Sequence, residues 1–256
     1  AIEQEQFELH YQPQIHHSGR VAGVEALVRW YHPERGNIPP GQFIPLAEDT
    51  GQIIPISEWG METACRDAVV LNAESATPIT MAINVSPMQF QRPGFLDSVK
   101  QVLARSCLPP ALLEPELTEG VLMDSAEHTI QALQALRQLG VHIALDDFGT
   151  GFSSLSYLKR LPINKLKVDR SFVGDVAVDS RDAAIVEGVV IMADKLGLEV
   201  LIEGVETAEQ FHFLRTLQCD HFQGYYFARP MALSALKAYL KTPLVVVASQ
   251  ESPASL

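Results

Sequence analysis

The sequence predicts an α/β fold in which a mostly parallel sheet closes into a TIM-like (β/α)8 barrel. Strand-like and helix-like segments alternate along nearly the whole chain, and strand–helix units in series require parallel strands joined by crossover helices. So many units within 256 residues fit one closed barrel, and a single core of this size buries roughly three quarters of the unfolded surface. The doubly wound open sheet is the alternative, and the absence of GxGxxG after the first strand counts against it.

The elements follow in order. Residues 7–15 (FELHYQPQI) and 21–30 (VAGVEALVRW) are β-rich runs separated by HHSG and read as a hairpin. Residues 44–50 form a short helix that Gly51 ends, and 57–71 space their apolar side chains at helical intervals. A strand over 79–85 precedes an amphipathic helix over 95–106, and 112–118 is strand-like. The helix over 125–139 stops at Gly140. The pattern then repeats: strand 141–145, a Gly/Ser loop, a short helix, strand 165–168, and helix 181–196 with Gly197 behind it. Strand 199–202, helix 208–217, a strand-like run over 222–227 and helix 233–240 complete it. Residues 1–242 read as one domain and 243–256 as a tail or linker.

Composition narrows the function. Thirty-one acidic residues against 19 Lys and Arg give a net charge of −12, which repels duplex nucleic acid and anionic membrane at long range. A phosphate-bearing ligand stays compatible where bound cations reverse the local potential. Three widely spaced cysteines, with no CxxC, argue against a zinc site and fit a reducing compartment. No apolar run approaches the ~18 residues of a membrane span and no signal peptide opens the chain. A cytoplasmic piece of a larger protein, either soluble or membrane-anchored elsewhere, is expected.

Chemistry is read from where the acids fall. Glu25, Asn84, Glu116, Asp146-Asp147 and Glu203 each sit near the carboxyl end of a strand-like run, and in barrels and open sheets those ends converge on the ligand-binding face. Oxygen donors gathered there repel one another unless hard divalent ions such as Mg2+ or Mn2+ intervene. Adjacent aspartates suit the bridging of two ions in a phosphodiester displacement. Each residue also has a plain reading: Glu25 as a rim residue, Asn84 as a turn residue, Glu203 and Glu206 as caps of the helix that begins near Thr207. Lys167, inside an apolar strand, calls for an anionic partner. The run Phe148-Gly149-Thr150-Gly151-Phe152-Ser153-Ser154 is a phosphate cradle or a gating loop, and it lacks the GK[ST] ending of a P-loop.

Together these runs resemble the EAL domain family of cyclic di-GMP phosphodiesterases. Glu25-Ala26-Leu27 is the signature, extended through Arg29 and Trp30. YQP at Tyr11, NVSP at Asn84, ELTE at Glu116, DDFGTGFSSL at Asp146, KVDRSF at Lys167, EGVE at Glu203 and QGYYFARP at Gln223 follow in order. The resemblance implies a barrel whose first strand runs antiparallel. It implies that Glu25, Asn84, Glu116 and Asp146 bind one cation, and that Asp146, Asp147 and Glu203 surround a second, both Mg2+ or Mn2+. Lys167 would touch the attacking water and Glu203 act as general base. Arg29 would hold a substrate phosphate, with Gln12, Leu27 and Gln223 around the substrate. Glu119 would anchor the loop after Asp147, which the family links to a homodimer interface. The implied reaction hydrolyses cyclic di-GMP to linear 5'-pGpG, with a catalytically weak receptor as the rival. A sensory or diguanylate cyclase-like GGDEF domain upstream is the implied neighbour. Two departures stand out. Pro115, before Glu116, is expected to disturb its strand, and Ile202 replaces a small residue before EGVE.

Overall fold

The computed structural model describes residues 1–122, 126–150 and 158–241. Nine strands form one sheet: β1 (Phe7–His16), β2 (Val21–His32), β3 (Gly36–Ile38), β4 (Thr80–Val85), β5 (Leu113–Thr118), β6 (Ala144–Phe148), β7 (Lys165–Val168), β8 (Glu199–Ile202) and β9 (His221–Phe222). Their order is β1-β9-β8-β7-β6-β5-β4-β2-β3, and β1 also pairs with β2. Eight strands therefore close a barrel, with β3 an outer flap on β2. Strand β1 is antiparallel to both of its neighbours, and every other pairing around the barrel is parallel. The barrel and its reversed first strand are as expected.

The helices are α1 (Pro40–Asp49), α2 (Ile53–Glu74), α3 (Pro87–Phe90), α4 (Phe95–Ser106), α5 (Ala126–Gln138), α6 (Ser180–Leu196), α7 (Ala208–Thr216) and α8 (Leu233–Leu240). The core lies between helices and barrel wall. Alternate strand residues such as Leu9, Tyr11, Val24, Met81, Ile83, Leu117, Leu145, Leu166, Val200 and Phe222 are buried there. They meet helix residues Ala64, Ala68, Val99, Leu133, Leu136, Val186 and Leu214. The intervening strand residues face the lumen, as the two-residue period requires. They are conspicuously polar: Gln12, Gln14, Glu25, Glu114, Glu116, Asp146, Lys165, Lys167 and His221 are all buried.

Several boundaries differ from the sequence reading. Helices α1 and α2 each begin about four residues early, because Pro40 at the first helical position starts α1. The strand predicted over 141–145 runs Ala144–Phe148 and so carries both aspartates. Residues 222–227 are not a strand beyond Phe222. Gln223, Gly224 and Tyr226 instead fold onto Val205, whose N–H donates to the Gln223 carbonyl at 3.1 Å. The cap of α7 is Thr207, in a reciprocal pair with Gln210, rather than Glu203 or Glu206. Pro115 leaves the β4–β5 register unbroken from Met81↔Leu113 to Val85↔Leu117. Ile202 is fully buried on the wall. The short helix expected after the Gly/Ser loop, residues 151–157 of that loop, and the tail 243–256 lie outside the described residues.

Candidate active site at the barrel mouth

The carboxyl ends of the parallel strands bring the predicted acids together. Lys167, on β7 and fully buried, is the centre of the cluster. Its ammonium donates to Glu116 Oε2 at 2.7 Å and lies 2.8 Å from Glu203 Oε1, 3.0 Å from Asp146 Oδ1 and 4.0 Å from Glu25 Oε1. These groups come from β2, β5, β6, β7 and the turn after β8. Glu25 is placed differently from the sequence reading. It stands mid-strand in β2, near the end of the part that pairs with β4, and β2 continues past the mouth to His32.

Amides complete the ring. Asn84 Nδ2 donates to Glu25 Oε1 at 2.7 Å, Gln223 Nε2 donates to Glu25 Oε2, and Gln223 Nε2 donates to Gln12 Oε1 at 3.2 Å. Asp147 has φ 53°, a left-handed conformation uncommon for a residue other than glycine. Its N–H donates to Asp146 Oδ1 at 2.9 Å. This twist lets Asp146, Asp147 and Glu203 each present an oxygen, all within 4.8 Å of one another. Behind the site, Glu119 Oε1 accepts from the N–H of Gly149 at 3.0 Å and tethers the start of the following loop.

Burial and charge crowding set the protonation chemistry. Burial raises Glu116 well above the ordinary carboxylate range, against the pull of Lys167, with Glu25, Asp146 and Glu203 adding to the rise. Burial also raises Asp147, helped by Asp146, and lifts Glu203 to about 7 in spite of Lys167. For Lys167, burial works to lower the value, but the carboxylates of Asp146, Glu116, Glu203 and Glu25 outweigh it and hold the ammonium charged. Four acids thus share the Lys167 ammonium. Glu116 Oε1 is buried with no hydrogen-bond partner among the described residues, which is the situation of a carboxylate oxygen made for a cation. The donor set is all oxygen apart from Lys167, as hard divalent ions prefer. The residues present fit a metal site.

Two clefts meet at this cluster. One of about 590 Å³ is lined by Glu25, Leu27, Arg29, Asn84, Asp146 and Asp147, with Glu48 and Ile44 of α1 on its far wall. The other, about 220 Å³, is lined by Gln12, Arg170, Glu203, Glu206, Gln223 and Tyr225. Arg29 is half-buried and turned onto the Val28 carbonyl at 3.0 Å, within the larger cleft and away from Lys167. Arg170 and Tyr225 were not singled out from sequence, and Glu206 was read only as a helix cap. All three lie within the runs KVDRSF, QGYYFARP and EGVE, and their place just past a strand end is the signal that could have found them.

Known proteins resemble this chain in sequence and in fold. The Pseudomonas aeruginosa protein named bifunctional diguanylate cyclase/cyclic di-GMP phosphodiesterase MucR is 46% identical over 239 residues, 93% of this chain and 35% of its own length. The Pseudomonas aeruginosa protein named cyclic di-GMP phosphodiesterase NbdA is 44% identical over 242 residues, 94% of this chain and 31% of its own length. The chain thus spans about a third of the curated relatives it matches. A solved structure described as the PaMucR phosphodiesterase, c-di-GMP complex, superposes with a TM-score of 0.88 at 46% identity, covering 92% of this chain and 96% of that one. With the family described as EAL domain matching residues 1–230, over the same strands that carry the acid cluster, the chain belongs to the EAL domain family.

Proposed function

We propose that the domain hydrolyses cyclic di-GMP to linear 5'-pGpG using two divalent cations, Mg2+ or Mn2+. The observation that carries this reading is the convergence of Glu25, Glu116, Asp146 and Glu203 on Lys167, at a mouth that opens into two clefts. The names of the two relatives and of the complex structure support the substrate.

In this mechanism Glu25, Asn84, Glu116 and Asp146 would hold one cation, and Asp146, Asp147 and Glu203 would hold the other. Bound cations of this kind lower the pKa of water and offset charge growing on phosphoryl oxygens. The chain supplies the rest. Lys167, kept charged by its carboxylates, orients the attacking water from within the barrel. Glu203 is the general base in this reading, a group that burial raises to about 7 before any cation binds. Gln223, whose amide also donates to Gln12, fixes the Glu25 oxygen that Asn84 does not hold. Arg29 reaches a substrate phosphate across the larger cleft, Leu27 supports the ligand there, and Glu119 holds the loop that follows Asp147. A homodimer, and a neighbouring diguanylate cyclase-type domain such as the name of MucR implies for that protein, are part of the same reading.

Incubation with cyclic di-GMP and Mg2+ or Mn2+, followed by chromatography, tests it. The expected product is pGpG, with EDTA abolishing its formation. Ligand retained intact at every metal concentration would make the domain a receptor.

A further inference from the structure

Beneath the catalytic layer lies a second buried ion pair that no assigned role uses. Lys165 Nζ donates to both oxygens of Glu114, each at 2.7 Å, and the two side chains are about as enclosed as any in the core. Glu114 is two residues before Glu116 on β5, and Lys165 is two residues before Lys167 on β7. The two-residue period therefore sends all four into the lumen as two stacked rungs. Strand β6 runs between them, and Ala144, in register with both Glu116 and Lys165, is small enough to let the pairs meet across it.

Stability is a weak reason for the lower rung. A buried ion pair loses its hydration, and aliphatic side chains of similar volume are often as good or better. Barrel interiors are ordinarily filled with such branched residues. The chemistry above the rung gives a better reason. Glu116 uses Oε2 for Lys167 and keeps Oε1 buried, with no hydrogen-bond partner among the described residues. An unengaged Lys165, one step below on the lumen face, would supply an ammonium to that oxygen. An unengaged Glu114 would compete with Glu116 for Lys167. With both Glu114 oxygens occupied by one ammonium, neither can happen.

We infer that Glu114 and Lys165 are positioning residues that sequester one another, so that Glu116 Oε1 stays available to a divalent cation and Lys167 stays directed at the barrel mouth. This rests on the mouth being the metal and catalytic site. The test is Mn2+ titration of EDTA-stripped protein by calorimetry, with kcat and KM for cyclic di-GMP measured in parallel. In Glu114→Gln the released Lys165 takes Glu116, and Mn2+ affinity falls by about ten-fold or more, the size typical of groups that orient metal ligands. In Glu114→Gln/Lys165→Met no competing ammonium remains, and affinity returns to within about three-fold of wild type, a rescue that additive structural damage does not produce. Lys165→Met lowers kcat with KM for cyclic di-GMP unchanged, and it carries the test should Glu114→Gln not fold. Affinity unchanged in Glu114→Gln, a double variant no better than the single, or kcat unchanged in Lys165→Met overturns the inference. A wild type that binds Mn2+ but leaves cyclic di-GMP intact refutes the proposed reaction alone, because the affinity series still reads the sequestration. A wild type that binds no Mn2+ overturns both.

Discussion

Lys167 is paired four ways, and that imbalance makes the surrounding residues sensitive to different substitutions. Glu25 is the acid farthest from the ammonium, at 4.0 Å, and its two oxygens are instead held by Asn84 and Gln223. It therefore contributes little to holding Lys167 and much to a cation. Glu25→Ala is expected to cut turnover by about a hundred-fold or more, the scale of losing one preorganised charge-stabilising group. Its melting temperature should stay within a few degrees of wild type. Product chromatography alongside thermal unfolding checks this, and normal turnover would remove Glu25 from the ligand set. Arg29 lines the same cleft but makes no ion pair with these acids among the described residues, so Arg29→Ala should raise KM by roughly ten-fold, the loss of one charge-assisted phosphate contact, with kcat changed far less. A fall in kcat alone would place Arg29 in the chemistry instead. The acids of this site were legible because their positions at successive strand ends say jointly what none says singly. The ion pair Glu114–Lys165 was not, since two charges on short apolar strands reveal neither that they face the lumen nor that they face each other.

At the scale of elements, the strand-end turns carry as much of the site as the strands do. Glu203 and Gln223 both lie just past their strands, and what fixes them is a backbone knot. Gln223 N–H donates to the Ile202 carbonyl at 2.8 Å, and Tyr226 N–H donates to the Val205 carbonyl at 3.0 Å. Gly224 makes the close approach possible. A Cβ there would sit 2.1 Å from the Val205 carbonyl oxygen and 2.4 Å from its nitrogen, both backbone atoms that cannot swing aside. Gly224→Ala is expected to cost about 1–3 kcal/mol or more by overpacking, read as a fall in the urea midpoint, and to lower activity through Gln223 and Glu203. A midpoint unchanged from wild type would show that the two turns are not locked together. The same knot explains the misread strand. The aromatic run Tyr225-Tyr226-Phe227 has β-propensity, but tertiary hydrogen bonds to Val205 turn it out of the ladder. The opposite error occurred at β6. Aspartate is a poor strand former, so the predicted strand stopped at Leu145. In the barrel Asp146 and Asp147 remain in the strand, one beside Lys167 and one in left-handed conformation at the rim. Strands β7 and β8 were read to the residue, because short β-rich runs bounded by a helix on one side and a turn on the other leave a parallel barrel little other choice.

For the molecule as a whole, the mouth is a charge defect that a cation would repair, and this gives the stability a defined pH dependence. Glu203 is raised to about 7 by burial, and Glu116 and Asp147 are raised in the same direction by the same cause. A carboxyl whose folded pKa exceeds its unfolded value, 4.5 for Glu203, binds its proton more tightly in the folded state. Its stabilisation is complete below the unfolded pKa and is lost as pH rises through the folded one. The metal-free protein should therefore become less stable between pH about 4.5 and about 7 on account of these groups. Cations reverse the sign, because they favour the deprotonated carboxylates. At a concentration one hundred times the dissociation constant, binding to the folded state alone adds about 2.7 kcal/mol. The Mn2+-induced rise in melting temperature should accordingly be small near pH 5, where protons compete for the same oxygens, and should grow towards pH 7.5. Glu203→Gln, which removes one titrating ligand, should flatten both curves together. A metal-induced shift independent of pH, or a metal-free protein whose stability does not fall over this interval, would mean that the carboxylates at the mouth are not the groups that bind the ion.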